Sequence, residues 1–315
     1  MKSMRIPVIF LCAFIFFSTT HAMAAERSRQ IKFGTIPVLQ SLPLFVAAEK
    51  GFFKEQGLDV EIVLFNSAME KDIAFTSGQI AGYFGDLMTP AVLAANGAKI
   101  KMVATNFNTT SSQRMFAILA SPKAEDARPE AVARAGIATG SNAIPEYLII
   151  RLLAAKNIPR KSIKLIDIKS IPIRMQMLLS GQVEGALLPE PLATLAEKKG
   201  ARTLADDKGY GISATVLAFS TDYLKNDPAR VRSFLAAVEK ASVYINKNPD
   251  EVRGIMNRSC KVPQALQSSF PIPKFPVLTL PDQAQVMDIY RWLREKNIVK
   301  TDLSYKDLVA DGFIR

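Results

Sequence analysis

Histidine occurs once in the 315 residues, as His21, and cysteine twice, as Cys12 and Cys260. His21 and Cys12 lie in an N-terminal stretch that reads as removable. Without that stretch the chain has no imidazole and a single thiol. This excludes a Ser-His-Asp triad, a Cys-His dyad, a zincin-type histidine pair and a cysteine-rich metal site. A disulfide within one chain is excluded with them. Long apolar runs are also scarce: outside the leader none approaches the roughly 20 residues that span a bilayer.

The leader has recognisable parts. Lys2 and Arg5 give a positive start, and Ile6 to Phe17 is apolar apart from Pro7. Ala22-Met23-Ala24 places small residues at the −3 and −1 positions, so cleavage is expected after Ala24. Cys12 is no lipidation site, because Phe10 and Leu11 stand where small residues are needed. A signal peptide over 1–24 implies a protein exported to the periplasm. Losing Lys2 and Arg5 takes 40 basic residues to 38 against 29 acidic ones, so the formal charge falls from +11 to +9. The basic residues are spread along the chain without an arm or an aromatic-basic platform, which argues against a nucleic-acid partner.

Short apolar strands alternate with helical patterns. Ile31–Thr35, Leu58–Leu64, Ala81–Phe84 and Ile100–Ala104 read as strands, with helices over Pro43–Lys50 and Leu87–Asn96. The pattern restarts with Ala135–Thr139, Ile163–Ile168, Gly185–Leu188 and Ala201–Leu204, with a helix over Pro145–Lys156. This alternation predicts α/β architecture, with mostly parallel sheets covered by helices. Thr215–Ser220 is a further β-type run, and beyond Pro228 the chain turns helical. Pro263–Pro281 is expected as an extended surface connection, since proline fixes φ and lacks a donor.

An internal match supports two units. Ser77-Gly78-Gln79-Ile80-Ala81-Gly82 recurs as Ser180-Gly181-Gln182-Val183-Glu184-Gly185, and Gly97-Ala98-Lys99 as Gly200-Ala201-Arg202, at one offset of 103. Duplication of an α/β unit and chance similarity between two such units are both open readings.

The segment Ala47-Ala48-Glu49-Lys50-Gly51-Phe52-Phe53-Lys54-Glu55-Gln56-Gly57-Leu58-Asp59-Val60-Glu61 resembles the most recognisable stretch of the alkanesulfonate/nitrate/taurine-type substrate-binding proteins of ABC importers. That group shares a superfamily with the thiamine-pyrimidine-synthesis-like proteins. The two Ser-Gly-Gln copies, Glu190-Pro191 and the ending from Trp292 to Val309 are similar to theirs as well. The resemblance implies a periplasmic binding protein type II fold: two doubly wound α/β lobes, a two-stranded hinge and a ligand cleft. Lobe 1 would hold residues 25–114 and 222–315, lobe 2 residues 115–221. The hinge would lie near Met115–Ser121 and Ala214–Thr221. The implied partners are a small-molecule ligand and an ABC permease in the inner membrane, with no cofactor or metal and a monomeric state.

Ligands of open α/β sheets bind at the carboxyl ends of strands, which yields site candidates from the pattern alone. In the first unit these are Gln40 and Ser41, Phe45 on the helix that follows, and Gly85 and Asp86. In the second they are Thr139, Gly140, Ser141, Asn142 and Glu190. Free N–H groups at helix starts attract anions, and Gly140 permits close approach of the backbone, so Thr139–Asn142 is the leading anion seat. Ser41, Ser141, Asn142 and Asp86 could equally cap their own helices. Glu190 could bridge to a hinge group or accept a ligand N–H. If Asp86 and Glu190 face the cleft, a zwitterion or amino-heterocycle suits the site better than a bare anion; a sulfonate remains in the class. Phe45, Phe84 and Phe107 are either an apolar wall or core.

A solute carrier needs no catalytic histidine. The enzymatic branch of the superfamily uses a histidine and a cysteine-rich loop, both missing here, so no enzyme is expected. A periplasmic sensor partner is the other alternative.

Overall fold

The computed structural model describes residues 30–314, so the expected leader lies outside the described residues. The first unit runs β1 (Ile31–Thr35), α1 (Leu42–Glu49), α2 (Phe52–Glu55), β2 (Val60–Leu64), α3 (Ala68–Thr76), β3 (Gly82–Asp86), α4 (Met88–Ala95) and β4 (Ile100–Phe107). The chain then crosses over and builds β5 (Phe116–Ala120), α5 (Pro129–Ala135), β6 (Ile137–Thr139), α6 (Ile144–Ala154), β7 (Leu165–Asp167), α7 (Ile171–Ser180), β8 (Gly185–Pro189), α8 (Leu192–Lys198) and β9 (Arg202–Asp206). It crosses back into β10 (Thr215–Ser220) and ends in α9 (Thr221–Asn226), α10 (Pro228–Lys247), α11 (Pro249–Ser259), α12 (Gln283–Glu295) and α13 (Tyr305–Leu308).

There are two five-stranded sheets, ordered β2-β1-β3-β10-β4 and β7-β6-β8-β5-β9. β1 pairs in parallel with β2 and β3, and β6 with β7 and β8. The fourth strand of each sheet is antiparallel to both neighbours: β10, which returns to the first sheet after the second crossing, and β5, which opens the second unit. Four strands thus point one way in each sheet and one points back, as expected of a mostly parallel arrangement. The two α/β units are the doubly wound lobes expected from the strand and helix alternation.

The repeated glycines have local causes. Gly78 and Gly181 take φ of 76° and 78°, and Gly97 and Gly200 take 88° and 94°, a region where side chains are strained. At Gly82 a Cβ would stand 2.4 Å from the Ala218 carbonyl, and at Gly185 one would stand 2.5 Å from Val132 Cγ1. The first two pairs close the same turns in each unit, and the third admits a close approach to a different neighbour in each.

Two expectations need correcting. Thr215–Ser220, expected in the middle unit as part of the hinge, is a strand of the first sheet, and Phe116–Ala120 is a strand of the second. Both runs are apolar because they lie inside sheets; the polar links 108–115 and 207–214 make the crossings. Pro263–Pro281 opens with a 3-10 turn, Gln264–Leu266, and is extended only beyond Phe270, and it is no mere surface connection. Leu266, Phe270, Phe275 and Leu278 are buried along it, and Thr279 bridges Thr105 of β4. It is a strap bound to the first unit by these buried side chains.

The C-terminal helices complete the first unit. α10 buries Val231, Phe234, Leu235, Val238, Ala241 and Ile245 at helical spacing. α12 buries Val286, Ile289, Tyr290, Trp292 and Leu293, and Asp282 caps it by accepting from the Gln285 N–H at 2.8 Å. No helix among the described residues is long and apolar enough to cross a membrane.

Candidate functional site

The carboxyl ends of β1 and β8 meet across a cavity of about 550 Å³. Leu39, beside Gln40, lines it from the first unit, and Glu190, Thr194 and Glu197 line it from the second. Ser112–Met115 of the first crossing and Phe270–Lys274 of the strap complete its walls. A larger cavity, about 840 Å³, lies at the other end of the first sheet beside Lys32, Gly78, Gly97 and Tyr223. It meets no residue of the second sheet, so closure of two units could not enclose it.

Glu190 bridges to the first crossing. Its Oε1 accepts from Arg114 Nε at 2.6 Å, and its Oε2 accepts from the Thr194 N–H at 3.1 Å. The Glu190–Pro191 peptide is cis. Arg114 also grips Glu197 by two bonds, at 3.0 and 2.6 Å. Burial opposes the Arg114 charge, but the bonds to Glu197 and Glu190 outweigh it and raise its pKa above the ordinary arginine value. Glu190 therefore enters the cavity already paired, but its partner Arg114 is shared with Glu197, so the two carboxylates together still outweigh the one cation.

Asp86 is likewise engaged. Its Oδ1 accepts from the Met88 and Thr89 N–H groups at 2.8 and 2.9 Å, which is the capping role at the start of α4. Gly85 packs against the Tyr83 ring, 3.1 Å from where a Cβ would stand. Ser41 does not cap. It sits in a 3-10 turn, Leu39–Ser41, with φ −87° and ψ 0°, so its backbone is already near-helical. Its hydroxyl turns back to donate to the Val38 and Ile36 carbonyls at 2.7 and 2.9 Å. Gln40 is held from behind, where Asn106 Nδ2 donates to its carbonyl at 2.9 Å and Thr215 Oγ1 donates to Asn106 Oδ1 at 3.1 Å. Phe45, Phe84 and Phe107 are all core; Phe107 packs edge-on against Phe275. Phe45 was expected in the site, but the inward face of α1 packs it into the first unit.

The anion seat at Thr139–Asn142 is filled by the chain itself. The Ser141 N–H donates to Asp167 Oδ1 at 2.9 Å and the Asn142 N–H to Glu146 Oε2 at 2.8 Å. Asn142 takes φ of 58° to do so. Two carboxylates therefore occupy the amides that were free by sequence. Thr139 is fully buried and its hydroxyl has no partner. Gly140 faces Arg174, whose Nη2 would lie 4.0 Å from a Cβ there. Arg174 is only 2 % exposed and donates to the Leu187, Ile168 and Lys169 carbonyls at 2.7, 3.1 and 3.5 Å. Burial pulls its pKa down to about 10.

The structure thus brings the Gln40 loop and Glu190 to one cavity, whereas Thr139–Asn142 is tied through Glu146 to the C-terminal helices. Sequence reasoning missed Arg114 and Asp207. Asp207 is fully buried at the crossings. Its Oδ1 accepts from the Met115 and Phe116 N–H groups at 2.8 and 3.0 Å, locking one crossing to the other. No spacing rule announces it. A signal did exist for one missed pair: the 103-residue offset carries Lys71 onto Arg174. Lys71 is 1 % exposed, with Nζ 3.2 Å from Asp72 and 3.5 Å from the Tyr83 ring centre. Cys260 is buried, which raises its thiol pKa and leaves it inert. Among the described residues no group of His, Cys, Asp and Glu could hold a metal ion.

The model of the NMT1-like family matches residues 24–258. YtlA of Bacillus subtilis is 27% identical over 216 residues, 65% of this chain and 63% of YtlA. The bicarbonate-binding protein CmpA of Synechococcus elongatus is 37% identical over 82 residues, 24% of this chain and 18% of CmpA. The chain thus spans less than two thirds of the length of either relative. In fold it is similar to the periplasmic aliphatic sulphonate binding protein SsuA of Escherichia coli, with a TM-score of 0.78 and 14% identity over 90% of this chain and 92% of SsuA.

Proposed function

Since the chain belongs to the NMT1-like family, we propose that it is the extracytoplasmic solute-binding component of an ABC importer. It captures a small polar organic molecule between two lobes and hands it to a membrane permease, without chemical change. The observation that carries this reading is the cavity of about 550 Å³ shared by the carboxyl ends of two like-ordered sheets. Lobe 1 is residues 30–107 with 215–314, lobe 2 is residues 116–206, and the crossings 108–115 and 207–214 form the hinge. Closure must improve binding, which requires ligand contacts from both lobes. In this reading the turn at Leu39, with Gln40 next to it, supplies them from one side and Thr194 beside Glu190 from the other. The export signal expected over 1–24, a monomeric state and a periplasmic location belong to the same reading.

The engaged states of Asp86 and Glu190 shift the ligand class. With both acids satisfied internally, an alkanesulfonate or a zwitterion fits as well as an amino-heterocycle. The test is a thermal-shift panel of alkanesulfonates, taurine, nitrate, bicarbonate and aminopyrimidines, with native mass spectrometry of freshly purified protein. One compound should raise the melting temperature, and saturation at about 100 times its dissociation constant adds about 2.7 kcal/mol. Turnover of that compound, or saturable binding by none of the panel and no retained ligand, would overturn the reading.

A further inference from the structure

We infer that α6 and α12 form a third connection between the lobes, a clasp that fixes one side of the cleft and confines opening to the side of the Pro263–Pro281 strap. The inference rests on the two-lobed reading above, in which α6 belongs to lobe 2 and α12 to lobe 1. Tyr147 donates to Asp288 Oδ2 at 2.7 Å, and Arg151 Nη2 reaches both Asp288 oxygens at 2.7 and 2.6 Å. Next to Tyr147 on α6, Glu146 meets Lys296 at 2.7 Å while its other oxygen holds the Asn142 amide. Between these polar contacts the Tyr147 and Trp292 rings meet edge-on, with centroids 5.8 Å apart. Leu148 and Leu152 of α6 share one buried apolar cluster with Ile289 and Leu293 of α12.

α12 is in turn fixed at both ends. Near its start, Gln285 donates to the Gly211 carbonyl in the second crossing. Farther along, Tyr290 donates to the Thr301 carbonyl at 2.8 Å, and Thr301 donates to the Ala95 carbonyl at the end of α4, also at 2.8 Å. The helix therefore runs from the hinge along one flank of the cleft and reaches lobe 2 at the loop that starts α6. Such an interface combines apolar burial with ion pairs, one of whose partners, Glu146, is only 2 % exposed. Removing Lys296 leaves the Glu146 carboxylate without its cation away from water, so the clasp resists separation.

The other flank is different. There the lobes are separated by the cavity, and α8 touches the strap through an exposed bond from Lys198 to Ser269 at 3.2 Å. An exposed contact of this kind holds little. A hinge with two crossings permits rotation about more than one axis; the clasp removes those that would part α6 from α12.

Distance distributions between paired spin labels in the ligand-free protein test this without knowledge of the ligand. Cys260 is 3 % exposed and will not label, so cysteines can be introduced at exposed sites. The pair Lys156→Cys with Glu295→Cys reads the clasp flank, and Lys199→Cys with Ser268→Cys reads the strap flank. The expected result is one narrow distribution on the clasp flank and a broader or divided one on the strap flank. Adding Asp288→Asn and Lys296→Met should give the clasp flank a second, longer population. Equal breadth on the two flanks of the parent protein, or a clasp flank unchanged in that variant, overturns the inference. If the double variant fails to fold, the comparison in the parent protein decides alone. A chain that binds no solute would still give these distances, so failure of the functional reading stays separate.

Discussion

The two sheets have the same strand order, an antiparallel strand at the same place and the same turn glycines, yet they stabilise a buried cation in opposite ways. Lys71 and Arg174 stand at equivalent positions on α3 and α7. Lys71 rests on a carboxylate and an aromatic ring, whereas Arg174 is held by three backbone carbonyls and has no carboxylate within ion-pair distance. Equivalent position thus fixes burial and leaves the chemistry free. A guanidinium carries five donors in a fixed fork and can tie separate loops together, which an ammonium cannot. Lobe 2 lacks the added C-terminal helices of lobe 1, and Arg174 joins the loop after β7 to β8 in their place.

The largest effect should come from breaking this pair unequally. Arg174→Met leaves buried carbonyls without donors and should cost roughly 3 kcal/mol. Lys71→Met removes a charge whose partner is partly solvated, and should cost under about 1 kcal/mol. Urea midpoints of the two variants check this, and similar losses would show that the two cations do the same job. Next come the glycines of β3 and β8. Gly82→Ala drives a methyl into a backbone carbonyl and should cost about 2 kcal/mol. Gly185→Ala meets a valine side chain, which can yield, and should cost less. At the turns the units should agree: Gly78→Ala and Gly181→Ala each place a side chain at positive φ, for about 1 kcal/mol in thermal unfolding.

The smallest effect depends on pH and is confined to lobe 2. The bonds from Arg114 hold the Glu197 carboxyl below its ordinary value, against the opposing effect of burial. The unfolded chain then binds a proton at Glu197 before the folded chain does. The stability this contributes is present above the unfolded pKa and is lost as pH falls through the folded one. Between about pH 5 and about pH 3 the parent protein should lose more stability than Glu197→Gln in urea titrations.

Local pattern made most of the fold legible. Strand alternation, turn glycines and helical spacing are properties of neighbouring residues, and they located both units. The crossings were displaced because an apolar strand borrowed by another sheet looks like any apolar run, while the polar linker beside it has no periodicity. At the site, the Glu190 bridge was among the readings the sequence offered. The anion seat failed for a long-range reason: Asp167 stands 26 residues from Ser141 and joins it only through β6–β7 pairing. Phe45 failed because the inner face of α1 is set by α10 and α11, far along the chain.

The antiparallel strands also bear on the order in which the lobes can be completed as the polypeptide emerges. Every strand of the second sheet lies between residues 116 and 206, so that sheet is complete once residue 206 is available. The first sheet begins at residue 31 but keeps a gap between β3 and β4 until β10 arrives at 215. Closing that gap is a pairing of high sequence separation, which slows folding. The lobe that starts first is therefore the one finished last, and until then it presents two open strand edges of the kind that recruit other chains.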